Sequence, residues 1–264
     1  MNTILDDIVA NRKNEVLIQK QRIPLFELQS KIDSSITCNS LSEKLLSPDS
    51  TGIIAEFKRK SPSKGVINDR DQPEIVTKGF ARAGVSGLSV LTEGRFFGGS
   101  IADFIAARNA NPFTPLLRKD FIVDEYQIFE SRLFEADVIL LIAAVLEKHE
   151  ISRFVSIAHE LGMEVLLELH DECEITRIDK SIEMIGINNR NLKDFKIDMN
   201  RSFKLLDKLS DKAVKISESG LSDPETVDFL HSLGFKGFLM GEIFMRSENP
   251  VKTCLDFISK LKYL

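Results

Sequence analysis

The feature that most constrains the fold of this 264-residue chain is a regular alternation of short apolar runs and amphipathic segments. From Gly52 onward each apolar run is rich in β-branched residues, which is typical of a buried parallel strand, and a segment with helical periodicity follows it. Successive runs begin roughly 20 to 35 residues apart, as βα units require. The predicted strands span residues 53–58, 87–92, 115–120, 137–143, 163–169, 184–189, 213–218 and 236–241.

Eight consecutive βα units favour a closed (β/α)8 barrel, the TIM barrel, over an open doubly wound sheet. The open sheet is the alternative, since eight alternations can also be wound both ways. A Gly-x-Gly-x-x-Gly turn after the first strand would support it, and the sequence has none there. We expect residues 1–264 to form a single barrel domain, with residues 1–48 as a helical extension packed on it, because that segment has no strand pattern.

The helices have recognisable ends in the sequence. One helix runs from Thr3 to Arg22, and Ser100 caps another that turns Ile105 inward. Ser222-Asp-Pro-Glu225 predicts a capping box, and Asn249-Pro250 opens the last helix. These signals indicate where the predicted helices begin and end between the strands.

Charge and cysteine usage limit the partners and the compartment. The net charge of -5, with basic and acidic residues interleaved, argues against nucleic-acid binding. Cys38, Cys173 and Cys254 lie far apart without a CxxC pair, which is typical of a reduced, cytoplasmic protein. No signal peptide begins the chain, and the longest apolar run, residues 138–146, is shorter than the about 20 residues that span a membrane. We expect no membrane partner.

No metal site is predicted. The four histidines, at positions 149, 159, 170 and 231, share no ligand motif with one another or with the cysteines. The lone His170, after the fifth strand, is interpreted as a loop residue or as a residue that contacts a catalytic group, rather than as a catalytic base.

The first strand and the loop after it read IIAEFKRKSPSKG, residues 53–65. Alternation along a strand puts Glu56 and Lys58 on one face, while Ala55 and Phe57 share the other. A carboxylate and an ammonium at the end of a buried strand must be paired, hydrated or used, because unpaired buried charge is costly. A structural ion pair is one interpretation, and a catalytic pair is the other.

Charged side chains recur at the ends of later strands. In a barrel these ends meet at one rim, where the active site lies. The third strand ends with Lys119, the fifth with Glu168, and the sixth and seventh with Asn188 and Glu218. A lysine that polarises a carbonyl and a carboxylate that moves protons are what carbon–carbon bond chemistry needs. The recurrence favours the catalytic interpretation.

Two glycine-containing strand ends predict a phosphate site. Ser219-Gly220 follows the seventh strand and Gly241-Glu242 the eighth, where barrels commonly bind phosphate through backbone N–H groups. Either glycine alone could be an ordinary turn residue. Their joint position favours phosphate.

Phe96 and Phe97 lie in a glycine-flanked loop after the second strand, where exposed phenyl rings are unfavourable. With Phe121 they could form a wall for an aromatic part of a substrate. Alternatively, one ring of the pair anchors its loop to the barrel.

These residues lie in motifs that resemble the indole-3-glycerol-phosphate synthase family, (β/α)8 enzymes of tryptophan biosynthesis. The resemblance covers residues 52–246, in EFKRKSPSKG, SVLTEGRFFGGS, LLRKDFIVDEYQI, GINNRNLKDFKID, SESGL and FLMGE, and includes a helical amino-terminal extension. It implies a carboxy-lyase that converts 1-(o-carboxyphenylamino)-1-deoxyribulose 5-phosphate to indole-3-glycerol phosphate, releasing carbon dioxide and water without a metal or organic cofactor. Departures at Phe57, Lys60 and Ile243-Phe244 fall on no proposed catalytic position.

The resemblance also implies a role for each site residue. Lys119 resembles the general acid of ring closure, and Glu168, with Lys58, the acid–base group of dehydration, while Glu56 orients the lysines. The implied contacts are Asn188, Glu218 and Ser219 with the sugar hydroxyls and the charged network, Ser61, Phe97, Phe121 and Arg190 with the substrate, and Gly220, Gly241 and Glu242 with the phosphate. Arg190 would face a carboxylate, and Glu242 would act through its backbone N–H, since its side chain would repel phosphate.

Two alternatives to this activity are considered. Phosphoribosylanthranilate isomerase, a sibling barrel, uses a Cys near the end of strand one and an Asp near strand six, where this chain has Glu56 and Asn188. A barrel that binds the ligand without turnover is the other. The presence of every proposed proton-transfer residue argues against it, and a measurement of activity decides, because catalysis also demands accurate geometry. The expected partners are a phosphorylated small-molecule substrate and other tryptophan-pathway enzymes.

Overall fold

A computed structural model describes residues 3–191, 196–210 and 212–264, and its centre is a closed barrel of parallel strands. All eight predicted strands are present, with ends within one residue of the prediction, and the open-sheet alternative is wrong. Each strand pairs with its neighbours in the chain, and the last closes on the first. The strands are β1 (Ile53–Phe57), β2 (Gly87–Leu91), β3 (Leu116–Lys119), β4 (Val138–Ile142), β5 (Glu164–Leu169), β6 (Met184–Asn188), β7 (Val214–Glu218) and β8 (Gly237–Met240).

Helices cover the outside of the barrel. The connection between β5 and β6 contains a 3-10 segment, Glu172–Arg177, in place of an α-helix. No described helix has the length and apolar character that a membrane crossing needs. The helices are α1 (Ile4–Arg22), α2 (Leu25–Ser30), α3 (Leu41–Leu46), α4 (Pro73–Arg82), α5 (Ile101–Ala110), α6 (Tyr126–Leu133), α7 (Lys148–Glu160), α8 (Asn200–Leu206), α9 (Pro224–Ser232), α10 (Glu242–Met245) and α11 (Pro250–Ile258).

Alternation along the strands builds two apolar layers. Ile54, Leu166 and Ile216 pack inside the barrel. Ala55 and Phe57 pack outside it, against the helices. The faces of β1 are therefore those that alternation predicts, and Glu56 points to the barrel interior side of the strand.

The register of the strands brings their polar ends to one level. Asn188 of β6 lies opposite Glu218 of β7, and Ile142 of β4 lies opposite Glu168 of β5. Leu91 of β2 lies opposite Lys119 of β3. The carboxyl ends of separate strands thus form a single rim.

The amino-terminal helices contact opposite ends of the barrel. Arg12 of α1 forms an ion pair with Asp120, directly after β3, with Nη2 2.7 Å from Oδ2. The backbone N–H of Leu41, in the first turn of α3, donates to Glu164 at the start of β5. The buried face of α1 includes Arg12, whereas Leu17 on the same helix is 58% exposed.

Two local predictions about helix faces and caps are wrong. Ile105 is 38% exposed, because the buried stripe of α5 passes through Phe104 and Ala107. The N-cap of α9 is Asp223, whose carboxylate accepts from the Thr226 N–H at 2.8 Å, so Ser222 lies one residue too early for the predicted capping box. The predicted Ser100 and Asn249 caps are present.

Candidate active site

A cavity of about 390 Å³ opens at the carboxyl-end rim of the barrel. Its lining combines charged groups near the barrel axis with aromatic and glycine-containing loops. Every residue assigned to the site from the sequence lines it: Glu56, Lys58, Ser61, Phe97, Lys119, Phe121, Glu168, Asn188, Arg190, Glu218, Ser219, Gly220, Gly241 and Glu242. Of the GINNRNLKDFKID motif, residues 192–195 lie outside the described residues.

Glu56 and Lys58 form an ion pair at the end of β1. The Lys58 Nζ lies 2.8 Å from the Glu56 Oε1, and both side chains are largely buried. A strand sends residues two apart to the same face, which puts both groups at the cavity. The pairing offsets the cost of burying each charge.

Lys119 lies between two carboxyl groups. Its Nζ is 2.6 Å from Glu168 Oε2 and 3.2 Å from Glu218 Oε2. Burial alone lowers the pKa of Lys119, but the charges of Glu168 and Glu218 outweigh it and raise that pKa above its usual value. Lys119 is therefore a protonated ammonium that can donate a hydrogen bond or a proton into the cavity.

Glu168 has a charged or polar neighbour at each oxygen. Lys119 occupies Oε2, and the His170 Nε2 lies 3.0 Å from Oε1. Burial raises the pKa of Glu168, yet Lys119 and His170 lower it well below its usual value. Glu168 is thus held as a carboxylate. Of the two interpretations of His170, the structure agrees with a residue that contacts a catalytic group. Neither of its ring nitrogens has an aligned hydrogen-bond partner among the described residues.

Glu218 has the opposite tendency. Burial raises the pKa of Glu218 to about 8; Lys119 lowers it in part, while Glu168 adds to the increase. Its Oε1 is buried and meets no donor among the described residues. Glu168 and Glu218 thus differ within one cavity, since the pKa of the first is lowered and the pKa of the second is raised.

Arg190 connects the loops after β6, β1 and β8. Its guanidinium donates to Ser63 Oγ and to Glu242 Oε2, each at 3.1 Å. Asn188 accepts the Arg190 backbone N–H at 3.0 Å, which orders the start of this loop. The Glu242 carboxylate, 3.6 Å from Arg246 as well, is paired with two guanidinium groups. Its negative charge is therefore neutralised locally.

The backbone at the ends of β7 and β8 has a conformation that lets another group approach the main chain closely. Ser219 and Gly220 have φ values of 67° and 79°, in the left-handed region. That conformation is uncommon for a serine and often occurs at ligand-binding positions. At Gly241, a Cβ atom would lie 2.8 Å from the Glu56 carbonyl oxygen, so only glycine lets β8 approach β1 here.

One aromatic wall is present. The Phe97 and Phe121 rings have centroids 5.8 Å apart and both line the cavity. Phe96 does not line it and lies below the Arg95 guanidinium instead. The structure thus agrees with the alternative interpretation, in which one ring of the pair, Phe96, packs against the barrel core while the other lines the cavity.

Glu93 and Asp120 are two supporting residues that the sequence reasoning missed. Glu93 is fully buried and accepts the backbone N–H groups of Arg95, Phe96 and Phe97, which shapes the loop that carries Phe97. An acid just before a glycine-containing loop is a weak sequence signal for this role.

Asp120 directly follows Lys119 and fixes the end of β3. Its carboxylate accepts from Arg12, Thr92 and Arg118, and from the Phe121 backbone N–H. Strand alternation gives the available signal, since it sends the side chains of Arg118 and Asp120 to the face of β3 opposite that of Lys119. The interaction with α1 cannot be read from that pattern.

No group of three or more His, Cys, Asp or Glu side chains in the described part of the chain has metal-binding geometry. The cysteines are unpaired. The groups available for chemistry in the cavity are the ammonium and carboxyl groups at the strand ends.

Comparisons with known proteins identify close relatives. A family model described as indole-3-glycerol phosphate synthase matches residues 5–256. A protein of that name from Bacteroides thetaiotaomicron is 47% identical over 264 residues, which cover 99% of this chain and all of the relative. The protein of that name from Neisseria meningitidis serogroup B is 39% identical over 253 residues, which cover 94% of this chain and 96% of the relative.

Solved structures with low sequence identity share the fold. A 3-hexulose-6-phosphate synthase from Salmonella typhimurium aligns with a TM-score of 0.62 at 13% identity, covering 80% of this chain and all of that structure. A tryptophan synthase subunit alpha from Legionella pneumophila aligns with a TM-score of 0.59 at 12% identity, covering 83% of this chain and 94% of that one. These two similarities support the barrel alone.

Proposed function

The chain belongs to the indole-3-glycerol phosphate synthase family, carboxy-lyases of tryptophan biosynthesis, and from that premise we propose how its cavity performs the reaction. The enzyme closes a ring on 1-(o-carboxyphenylamino)-1-deoxyribulose 5-phosphate, with loss of carbon dioxide and water, to form indole-3-glycerol phosphate. The isomerase alternative is removed by the family assignment.

The substrate has three chemically distinct parts, and the cavity offers a region suited to each. Phe97 and Phe121 suit the aromatic ring. The lysines and glutamates at the strand ends suit the ribulose carbonyl and hydroxyls, with Asn188 and Ser61 as further polar contacts. The backbone of Ser219-Gly220 and Gly241-Glu242 suits the phosphate. The volume of about 390 Å³ is in the range of small-molecule sites.

Lys119 is the proposed general acid of ring closure. The aromatic carbon that carries the carboxylate attacks the ketone carbon, and negative charge develops on the ketone oxygen. An ammonium that two carboxyl groups hold in place can stabilise that charge and transfer a proton to the oxygen. Loss of carbon dioxide then restores the aromatic ring.

Glu168 and Lys58 are the proposed pair for dehydration. The hydroxyl formed in ring closure leaves as water, which requires a proton donor, and a proton leaves the carbon next to nitrogen, which requires a base. Glu168 is held ionised and is suited to act as the base, with Lys58 near the leaving group and Glu56 fixing Lys58. Arg190 supplies a cation for an anionic group of the substrate, for which we propose the carboxylate.

The observation that carries this proposal is Lys119 in contact with both Glu168 and Glu218. The test is the variant Lys119→Ala. Its formation of the indole product is monitored through the fluorescence of that product, in buffer without added metal. We expect a fall in kcat of about two orders of magnitude or more. Lys148→Ala, at the exposed start of α7, is the matched control. Unchanged turnover in Lys119→Ala would remove Lys119 from the chemistry.

A barrel that binds without turnover is the second outcome of the same experiment. In that case the wild-type chain would bind the substrate, measured by quenching or calorimetry, and form no indole product. Presence of all the proton-transfer groups in one cavity favours turnover.

We also propose a cytoplasmic location and an association with other tryptophan-pathway enzymes. The three unpaired cysteines support a reducing compartment. Passage of intermediates between consecutive enzymes would favour the association. Co-purification of other tryptophan-pathway enzymes with a tagged form of this chain tests the proposed association.

A further inference from the structure

The reaction has a proton balance that the site must satisfy. The substrate loses its carboxylate as neutral carbon dioxide, so one proton is taken up in each turnover. Two protons reach the former ketone oxygen, which leaves as water, and one proton returns from the carbon next to nitrogen. In the dehydration, the proton that Glu168 removes from carbon can replace the one that Lys58 gives to the leaving oxygen. The proton that Lys119 gives in ring closure therefore has to be replaced from another group.

We propose that Glu218 is un-ionised in the free site and supplies this proton through Lys119. The inference rests on the proposed function, in which Lys119 is the acid of ring closure. It gives Glu218 a proton-carrying role in place of the substrate-holding role that the family resemblance implies.

The contacts of the two glutamates differ in a way that favours a proton on Glu218. Glu168 is the nearer carboxyl group to Lys119, at 2.6 Å against 3.2 Å, and its other oxygen faces His170. Glu218 Oε1 is buried and meets no donor within the described residues. An ionised carboxylate with a bare buried oxygen is costly, whereas an un-ionised carboxyl group is less so.

The two carboxyl groups also influence each other. Both contact the Lys119 Nζ, so they lie close together, and the charge of Glu168 raises the pKa of Glu218. Since Glu168 has Lys119 and His170 to stabilise its charge, the proton belongs to Glu218. Burial, which raises the pKa of Glu218 to about 8, acts in the same direction.

The charged groups around Glu218 are few. Lys119 faces it from β3 and Glu168 from β5, and Glu56 and Lys58 of β1 line the same cavity as an ion pair. The neighbouring strands place Asn188 of β6 and Leu239 of β8 opposite it, and both are uncharged. Lys119, shared with Glu168, is therefore the cation in contact with Glu218 in the described structure.

Gly186 of β6 makes the arrangement sterically possible. A Cβ atom at this position would overlap with Glu218 Oε1. Any side chain at position 186 would therefore push the Glu218 carboxyl group away from its place beside Glu168 and Lys119. We assign Gly186 the role of a positioning residue for Glu218.

The proposed transfer is balanced. An N–H bond of Lys119 breaks as an O–H bond forms on the substrate oxygen, which leaves Lys119 neutral. The O–H bond of Glu218 then breaks and the N–H bond of Lys119 forms again, which leaves a Glu218 carboxylate beside an ammonium. After product release, one proton from solvent returns Glu218 to its starting state.

The direct test is infrared difference spectroscopy of the free protein at neutral pH. We expect a stretching band of an un-ionised carboxyl group in the wild-type protein that is absent from Glu218→Gln and loses amplitude as pH rises through about 8. Glu225→Gln, an exposed glutamate at the start of the helix after β7, should keep the band. A wild-type protein without the band, or a band that persists in Glu218→Gln, contradicts the proposal.

The kinetic test separates proton transfer from binding. Glutamine keeps the shape and neutrality of the proposed carboxyl group, so we expect KM to change little while kcat falls by about two orders of magnitude. The decline of kcat/KM above about pH 8 in the wild-type enzyme should disappear in Glu218→Gln. A variant with raised KM and unchanged kcat would show that Glu218 only binds the substrate.

Gly186→Ala provides a second, independent variant. It retains Glu218 but displaces its carboxyl group, so the band should shift or vanish, and kcat should fall while circular dichroism confirms the fold. An unaltered band and kcat would contradict the positioning role. Because the band is measured without substrate, its absence contradicts the proton assignment even in an active enzyme, whereas lack of turnover by the wild-type chain contradicts the proposed function.

Discussion

At the scale of single residues, the site shows how neighbours give identical side chains different properties. Glu168 and Glu218 both contact Lys119, yet the pKa of Glu168 is lowered and that of Glu218 is raised. Both are buried, so burial alone does not separate them. The difference comes from His170, which faces Glu168, and from the bare oxygen of Glu218. These contacts support the proposed roles of Glu168 as a base and of Glu218 as an acid.

Replacement of Glu168 by Gln is expected to lower kcat by about two orders of magnitude, the usual scale for loss of an acid–base group. The change removes the proposed base of dehydration and one of the two carboxyl groups that hold Lys119. Steady-state kinetics with fluorescence detection of the indole product measures it. The exposed Glu160→Gln serves as control, and full activity in Glu168→Gln would show that another group takes the proton.

At the scale of elements, helix α1 helps to hold the residues of the cavity wall in place. Arg12 on this helix and Arg118 on β3 both contact Asp120, which precedes Phe121 and follows Lys119. These charges are buried and compensate one another. The position of Lys119 and Phe121 therefore depends on a helix more than a hundred residues earlier in the chain.

Arg12→Ala should destabilise the protein by about 3 to 5 kcal/mol, because it leaves a buried carboxylate with less compensation. Urea unfolding measures this loss. We also expect a lower kcat where the variant is still folded, since the end of β3 carries Lys119. Arg22→Ala, exposed at the end of the same helix, is the matched control. Equal losses in the two variants would argue against a specific role of the Arg12–Asp120 pair.

At the scale of the whole molecule, barrel closure determines the site. The carboxyl ends of eight strands meet at one rim, so groups from β1, β3, β5, β6 and β7 reach one cavity although they are spread from residue 56 to residue 218. Closure also buries these groups. Stability and catalysis are consequently linked through the same titrating side chains.

The linkage predicts how stability depends on pH. The folded-state pKa of Glu218, about 8, is above its ordinary value of 4.5, so the folded protein binds more protons than the unfolded chain between these values. Glu218 therefore makes the free energy of unfolding fall as pH rises through this window. Urea titrations should show a decline from pH 5 to pH 8 that is smaller in Glu218→Gln by about 1 to 3 kcal/mol. Parallel curves for the two proteins would contradict this.

Much of the site could be predicted because it depends on local order along strands. Once the ends of the strands were known, alternation assigned Glu56, Lys119 and Glu168 to the cavity side. Caps and helix faces were less predictable, as Asp223 and Ile105 show, because they depend on one-residue shifts and on neighbouring helices.

The sequence by itself determined the eight strands, their inward faces and the family, since hydrophobic period and motif spacing are properties of neighbouring residues. Only the tertiary structure decided that Arg12 is buried against Asp120 and that Glu93 shapes the loop that carries Phe97. It also decided that the Glu218 carboxyl group lies against Gly186 and shares Lys119 with Glu168. Those features are distances and burial between elements far apart in the chain. Protonation depends on them steeply, because charge interactions strengthen as groups approach and water is excluded.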